Sequence, residues 1–213
     1  MADDASTTRT RVRNRRGEGG RLREEIVTTA AEMLDENGDA NVITLRSVAR
    51  RVGIAAPSIY RHFPDQPAIV LAVVRNAFTE LDEWLGAAMD AADDTPRAQL
   101  TALWRGYLEY AQAHPGRYRI MFAGSWAPDP NESSVSEEDL ATLGQACLRR
   151  LGRALESCVN VGCATSSDPA ADTIALWIGL HGLAHQRLAS PAFRWPSDIA
   201  ERVITPLAHL TDR

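Results

Sequence analysis

Residues 44–63 of the chain read TLRSVARRVGIAAPSIYRHF. Thr44 is a residue type that caps helix N-termini, and the apolar residues after it recur at helical spacing as far as Gly53. A second short helix is predicted over residues 56–63, and Pro64 ends it. Two short helices joined by a tight glycine turn are typical of a helix-turn-helix, so this stretch decides the fold.

The composition of the second short helix indicates what the motif contacts. A helix that enters the major groove of DNA needs small residues at its leading end, because its backbone must approach the base edges. It also needs hydrogen-bond donors beside them for phosphates. The chain supplies Ala55-Ala56 first and then the polar or aromatic residues Ser58, Tyr60, Arg61 and His62.

The rest of the chain is also predicted to be helical. Helix-length apolar patterns lie on both sides of the motif, and no segment shows a convincing period-two strand or an internal repeat. The fold class is therefore all-α, with roughly nine or ten helices. We divide the chain into a flexible Arg-rich arm (1–20), a helix-turn-helix domain (21–66) and a helical C-terminal domain (67–213). Two long helices are predicted over residues 136–159 and 169–190.

The net charge of −5 over 213 residues conceals a division between the two parts of the chain. Residues 1–75 carry twelve Arg against ten acidic residues, whereas residues 76–213 carry eleven Arg against eighteen acidic residues. All 23 basic residues are Arg. The part that holds the helix-turn-helix is therefore net positive, as a DNA-binding part should be.

Other protein classes are excluded by simple patterns. No apolar run reaches the roughly 18–20 residues that a membrane span needs. The N-terminus is polar and Arg-rich, so it is not a secretory signal and no membrane partner is expected. Cys147, Cys158 and Cys163 show neither a disulfide framework nor zinc-site spacing. A reducing cytoplasm is the expected compartment.

At Thr44-Leu-Arg-Ser-Val-Ala49, Gly53-Ile54 and Ser58–Asp65, the sequence resembles the tetracycline-repressor (TetR) family of bacterial transcriptional regulators. The resemblance covers about residues 20–75. It implies a homodimeric, ligand-responsive regulator that is not an enzyme and needs no cofactor. Such a protein is most often a repressor, released from a double-stranded, pseudo-palindromic DNA operator by a small, mostly apolar effector.

The resemblance also implies which residues touch DNA. Thr44 and Arg46 are expected on phosphates, and Arg61 is expected to read a base. The leading edge of the recognition helix and the remaining phosphate contacts are expected at Ala56, Pro57, Ser58, Tyr60 and His62. Two positions depart from the family pattern: Ala55 stands where a capping Ser is frequent, and Gln66 stands where Lys is usual. The arginines of the arm are positioned to compensate, although a solvated tail with no contact is an equal alternative.

The C-terminal part resembles the family subgroup whose domain is named for Trp, His and Gly, through Trp177, His181 and Gly182 and through HPGRYRIMF at 114–122. A large aromatic and apolar set with few polar groups suits an apolar ligand pocket, although any single member can instead fill the core. The candidate ligand-binding residues are Trp104, Tyr107, Tyr118, Phe122, Trp126, Trp177 and His181. The helices over 136–159 and 169–190 are the usual dimer surface in this family, and the helix from Pro67 to about Asp90 is the expected lever between the domains.

Three alternatives remain open at this point. The protein could activate transcription, or it could bind DNA without a ligand. An enzyme using His181 or Cys147 is the third, but no nucleophile, base and orienting group stand at readable spacing. His181 and His185 share a helix face, which is one arrangement for metal binding, yet no Glu or Cys accompanies them at ligand spacing, so no metal is expected.

The arm provides the first test. Deleting residues 1–19 removes Arg9, Arg11, Arg13, Arg15 and Arg16, which could lie in the minor groove or on the phosphate backbone. We expect weaker DNA binding and a flatter dependence of the binding constant on salt, because a protein with fewer phosphate contacts releases fewer counterions when it binds. Fluorescence anisotropy at several salt concentrations measures both. A slope equal to that of the full chain would show that the arm makes no contact.

Overall fold

The computed structural model describes residues 19–37, 39–122 and 132–211, and these residues form ten α-helices and one 3₁₀ turn, Ala40–Val42. Within these ranges the only β-type pairing is one isolated bridge between Ala164 and Leu210, which confirms the all-α prediction. No helix in these ranges is long and apolar enough to cross a membrane. The helices are α1 Gly19–Asn37, α2 Leu45–Val52, α3 Ala56–Ile59, α4 Gln66–Asp90, α5 Pro96–Ala113, α6 Pro115–Phe122, α7 Glu137–Ala141, α8 Gln145–Asn160, α9 Pro169–Ala189 and α10 Ile199–Leu207.

Helix α2 begins and ends as its sequence predicts. The Thr44 side chain accepts a hydrogen bond from the Ser47 N–H, and the Ser47 hydroxyl accepts one from the Thr44 N–H, which completes a capping box. Gly53 ends the helix in the left-handed region at φ 78°. Its N–H donates to carbonyl oxygens of the last turn, so the chain reverses sharply toward α3.

Helix α3 is shorter than predicted. It covers only Ala56–Ile59, and the chain continues through turns as far as His62, where the His62 N–H donates to the Ile59 carbonyl at 2.9 Å. Ala55 occupies the N-cap position with no side-chain hydrogen bond, as the missing Ser there leads one to expect. The uncapped start weakens this helix relative to turns, and Pro64 prevents it from continuing beyond residue 63.

Helix α4 belongs to both halves of the molecule. Its first half places Ile69 and Val73 in a core with α1, α2 and α3. Its second half places Leu81 and Leu85 in a separate core with α5, α8 and α9. The predicted boundary at residues 66/67 coincides with the start of α4, yet the packing of the N-terminal domain extends about two turns into it.

The helix predicted over 136–159 is divided in two. Ser136 caps α7, as its sequence predicts, but α7 ends at Ala141 and α8 begins at Gln145. Gly144 stands between them at φ 71°. A Cβ at this position would lie 2.7 Å from the Phe78 ring, so glycine is required both by the backbone conformation and by close packing on α4.

The predicted arm lies almost entirely outside the described residues. Only Gly19 and Gly20 fall within them, and both belong to the first turn of α1. The expectation of a flexible segment with DNA contacts at residues 1–18 therefore stays a prediction.

Gly53→Ala tests the turn of the helix-turn-helix. A Cβ at Gly53 meets nothing within 4 Å, so the substitution acts only through the left-handed backbone conformation. We expect the free energy of unfolding to fall by about 1–2 kcal/mol, measured by urea denaturation. Gly20→Ala is the matched control, because its Cβ also meets nothing but its backbone is helical. Equal stabilities of the two variants would contradict the role given to the turn.

Candidate DNA interface and C-terminal cavity

Helix α3 and the turn after it divide their side chains between core and solvent. Ile59 and Phe63 are buried at 0% and 1% exposure, which fixes the orientation of the helix on the domain. Tyr60 is 50% exposed although it is a large aromatic residue, and Pro57 and Arg61 are exposed beside it. An aromatic hydroxyl and a guanidinium held outward by a rigid apolar face are suited to contact a phosphate or a base edge.

The other predicted DNA residues are less exposed or already hydrogen-bonded. Thr44 is half-buried, and its hydroxyl lies 2.9 Å from the Ser47 hydroxyl. Since Ser47 donates to the Val42 carbonyl at 2.6 Å, the Thr44 proton can turn outward to a phosphate without leaving Ser47 unsatisfied. Arg46, the second residue of α2, is exposed. Three predicted contact residues in α3 and the turn after it are half-buried: Ala56, Ser58 and His62.

The Asp65 side chain, just after the turn that follows α3, connects this segment to the C-terminal domain by hydrogen bonds. The sequence patterns did not predict this connection. One carboxylate oxygen caps α4 by accepting from the Ala68 N–H at 2.9 Å, and the other accepts from the Ser134 N–H at 2.7 Å. Partial burial raises the pKa of Asp65, but the hydrogen bonds from Ser134 and Ala68 outweigh it and leave the pKa below its ordinary value. The neighbouring Gln66 is exposed at the first position of α4.

The C-terminal domain contains a cavity of about 490 Å³, which lies in the usual size range of small-molecule sites. Of the seven predicted ligand-binding residues, Tyr107, Phe122 and Trp177 line it. Its wall is drawn from α4, α5, α6, α7, α8, α9 and the turn between α7 and α8. The lining residues are Phe78, Leu81, Leu85, Leu103, Tyr107, Met121, Phe122, Leu140, Ala141, Leu143, Gly144, Gln145, Cys147, Leu148, Leu151, Ile174, Trp177 and Leu180.

The remaining predicted ligand residues lie elsewhere. Trp104 is buried in the core, and the Arg105 guanidinium lies 5.1 Å from the centre of its ring. Tyr118 and His181 stand behind the wall rather than in it. Trp126 lies outside the described residues. The sequence could not separate Trp104, Tyr118 and His181 from the residues that line the cavity, because helical periodicity alone does not distinguish a residue that fills a core from one that borders a cavity.

A chain of hydrogen-bonding groups runs from the cavity toward α9. The Tyr107 and Tyr118 hydroxyls are 3.5 Å apart, and the Tyr118 hydroxyl lies 2.8 Å from His181 Nδ1. Burial, followed by the neighbouring Tyr118, raises the pKa of Tyr107 well above its ordinary value. Burial, followed by the nearby His185, lowers the pKa of His181. Near neutral pH both phenols are therefore protonated and the neutral imidazole is favoured, so Nδ1 can accept from Tyr118.

Sequence reasoning missed one side of the cavity. The pattern predicts a single continuous helix through Leu140–Leu148, and the family resemblance implies that it lies on the dimer surface. The break at Gly144 instead turns part of this segment toward the cavity. Phe78 and Cys147 also line the cavity, and burial raises the pKa of the Cys147 thiol to about 12. The usable signal was the glycine within LATLGQACL, which interrupts an otherwise amphipathic pattern.

Ion pairs fix the helices around the cavity and between the domains. Arg150 on α8 donates twice to Asp82 on α4, both at 2.8 Å. Arg117 on α6 pairs with Asp35 on α1 at 3.0 Å and also with Glu80 on α4. The preceding residue, Gly116, packs so closely that a Cβ would lie 3.3 Å from the Leu34 carbonyl oxygen. Helix α6 is therefore clamped between the two domains.

Within residues 19–37, 39–122 and 132–211, no group of three or more His, Cys, Asp or Glu side chains is arranged to hold a metal ion. His181 stacks on Trp177, with ring centres 5.9 Å apart, and packs near His185. Cys147, Cys158 and Cys163 are free thiols in the structure.

Comparison with known families agrees with this arrangement. Residues 26–73 match the model described as "Bacterial regulatory proteins, tetR family", and residues 100–210 match "Tetracyclin repressor-like, C-terminal domain". The chain belongs to the TetR family. The family is one of regulatory proteins rather than enzymes, as expected. The matching description of the C-terminal domain does not name the Trp-His-Gly subgroup, which stays a prediction.

Other proteins share part of this sequence or the fold. The chain is 30% identical over 99 residues to the nucleoid occlusion factor SlmA of Vibrio cholerae, covering 46% of this chain and 50% of that one. It thus spans about half the length of the curated relatives of this kind. A Rhodococcus sp. RHA1 protein of unknown function superposes with a TM-score of 0.72 at 21% identity, covering 92% of this chain and 95% of that one. The TetR-family transcriptional regulator PfmR of Thermus thermophilus superposes with a TM-score of 0.59 at 19% identity, covering 88% and 99%.

Asp82→Asn tests the ion pair beside the cavity. Hydrogen bonds from Arg150 are the largest influence on Asp82 and hold its pKa below the ordinary value of 3.8. A lowered folded-state pKa contributes stability that is present above the unfolded value and lost as pH falls through the folded value. We expect the variant to lose about 0.5–1 kcal/mol at pH 7. In urea unfolding the difference from wild type should shrink below about pH 3.8.

Asp198→Asn is the control for this substitution, because Asp198 pairs with Arg202 on an exposed helix face. It should change stability less at every pH. An Asp82→Asn effect that does not vary with pH would mean that the carboxylate acts by packing rather than by charge.

Proposed function

We propose that this protein is a homodimeric, sequence-specific DNA-binding regulator that acts as a repressor. It binds a pseudo-palindromic operator and releases it when a small, mostly apolar effector occupies the C-terminal cavity. The observation that carries the proposal is the combination within one chain of an outward-facing recognition helix and an apolar cavity. Helix α4 links the two because it packs in both cores.

The DNA contacts are proposed at the eight residues named from the sequence. Tyr60 and Arg61 are the strongest candidates because both are exposed directly after α3, between Ile59 and Phe63, which are anchored in the core. Tyr60 and His62 are assigned to phosphates and Arg61 to a base edge. Thr44 and Arg46 at the start of α2 add phosphate contacts that set the orientation of the domain.

The dimer is proposed to form through α8 and α9. Ile174 and Ile178, one turn apart on α9, are 42% and 58% exposed, which is unusual for large aliphatic side chains. Gly182 continues the same face, and a Cβ there would meet nothing within 4 Å. An apolar stripe that ends in a small residue suits close approach of an identical helix across a two-fold axis. A two-fold dimer places its recognition helices about 34–36 Å apart, one turn of DNA.

The effector is proposed to act by favouring a conformation in which that spacing is wrong. A ligand shifts such an equilibrium only by its difference in affinity for the two states. Phe78 on α4 lines the cavity, while Ile69 and Val73 on the same helix lie in the core that also contains Ile59 of α3. A displacement of α4 at the cavity is therefore proposed to reach the recognition helix through the core that α4 shares with α1, α2 and α3.

Selection of bound sequences from random DNA tests the proposal. Related half-sites one helical turn apart support a dimeric operator-binding protein, and enrichment of no sequence contradicts it. The selected DNA is then titrated with candidate effectors. Release by a ligand that also protects the C-terminal domain from unfolding supports the effector role, and transcription from the same operator distinguishes repression from activation. Specific binding that no ligand alters would favour a ligand-independent regulator.

Arg61→Ala tests the assignment of the base contact. We expect the affinity for the selected operator to fall by about 1–3 kcal/mol and sequence preference to relax at one position of each half-site. Tyr60→Phe should weaken all sequences alike, because it removes a phosphate contact. Arg202→Ala is the matched control, since it removes the same charge from an exposed position on α10. If Arg61→Ala and Arg202→Ala weaken binding equally, Arg61 acts only through net charge.

A further inference from the structure

We propose that the cavity selects uncharged ligands: a largely hydrocarbon molecule with one hydrogen-bonding oxygen, which the Tyr107 hydroxyl receives. This inference rests on the proposed function and deepens it, because it names the chemical class of the effector. It separates neutral alcohols and similar molecules from carboxylic acids and amines with the same hydrocarbon part.

The described wall of the cavity carries no formal charge. All eighteen lining residues are apolar or neutral, and none of them is Asp, Glu, Arg or His. The titratable side chains among the lining residues are Tyr107 and Cys147. Burial raises the pKa of both, so each stays protonated near neutral pH. The wall therefore offers an ionic ligand no counter-charge.

Of the charged groups near the wall, two arginines are paired with carboxylates, and Arg149 donates to the wall residue Gln145 at 3.1 Å. Arg150 on α8 directs its guanidinium to Asp82 through two hydrogen bonds of 2.8 Å. Glu80 on α4 is engaged by Arg117. Recruiting either arginine to a ligand carboxylate would break an existing ion pair and leave a partly buried carboxylate without its partner.

Tyr107 is the polar group best placed to fix a neutral ligand. It is 4% exposed and lines the cavity. Its hydroxyl has one long contact, 3.5 Å to Tyr118, whose own hydroxyl lies 2.8 Å from His181 Nδ1. A buried hydroxyl with only a long hydrogen bond gains from a ligand oxygen that can accept its proton or donate to its lone pairs. Cys147 Sγ is directed instead to the Phe78 carbonyl at 3.6 Å.

A charged ligand would lose its hydration without compensation. Transferring an ion into a site with no counter-charge is far more unfavourable than transferring a hydroxyl that regains a hydrogen bond. The hydrocarbon part contributes equally for an alcohol, an acid and an amine of the same chain length. Comparing three such molecules therefore isolates the head group.

The test uses the full-length protein with 1-decanol, decanoate and decylammonium at pH 7, measured by isothermal titration calorimetry and by intrinsic tryptophan fluorescence. We expect decanol to bind at least about tenfold more tightly than either ion. Tyr107→Phe should weaken decanol about fivefold. Tyr110→Phe is the matched control, because that buried hydroxyl donates to the Ala77 carbonyl at 3.2 Å and does not line the cavity.

Each outcome separates this inference from the proposed function. If either ion binds as tightly as decanol, the ligand class is wrong, and release of operator DNA by that ion would leave the proposed function standing. Binding of none of the three overturns the inference as well. If decanol binds through Tyr107 but leaves DNA affinity unchanged, the ligand class holds and the effector role fails. Equal effects of Tyr107→Phe and Tyr110→Phe would remove Tyr107 as the recognition group.

Discussion

The rest of the structure depends on one continuous helix that must satisfy two hydrophobic cores. Residues 69–74 of α4 are six consecutive buried residues, which requires neighbours on every side of the helix. Farther along, Ala77, Leu81 and Leu85 return to a single buried stripe that faces the second core. Because a helix transmits displacement and rotation along its length, neither domain can repack against α4 without the other responding.

Other contacts fix the two domains relative to each other around this helix. Arg117 on α6 reaches both Asp35 on α1 and Glu80 on α4, and Gly116 allows the backbones of α6 and α1 to approach closely. On another part of the interface, Asp65 caps α4 and also accepts a hydrogen bond from Ser134. The chain from Ser134 continues through α7 to the cavity wall. The cavity is thus bordered by the same elements that touch the start of α4.

The helix-turn-helix was predictable because its signals are local. The Thr44 cap, the Gly53 turn and the Ile59/Phe63 pair operate within twenty residues, and the structure has each in its predicted place. The length of α3 was not predictable, since an uncapped helix start competes with turns on nearly equal terms. For the cavity, the sequence indicated an aromatic, apolar half of the chain but identified only three of its described lining residues.

The sequence by itself determined the fold class, the position of the DNA-binding motif and the division of charge between the two parts of the chain. Each follows from residue type, spacing or composition over short distances. Only the tertiary structure decided that Tyr107 borders a cavity while Trp104 fills a core, and that Gly144 breaks a helix to form the cavity wall. Those outcomes depend on side chains from helices far apart in sequence, whose packing no local pattern specifies.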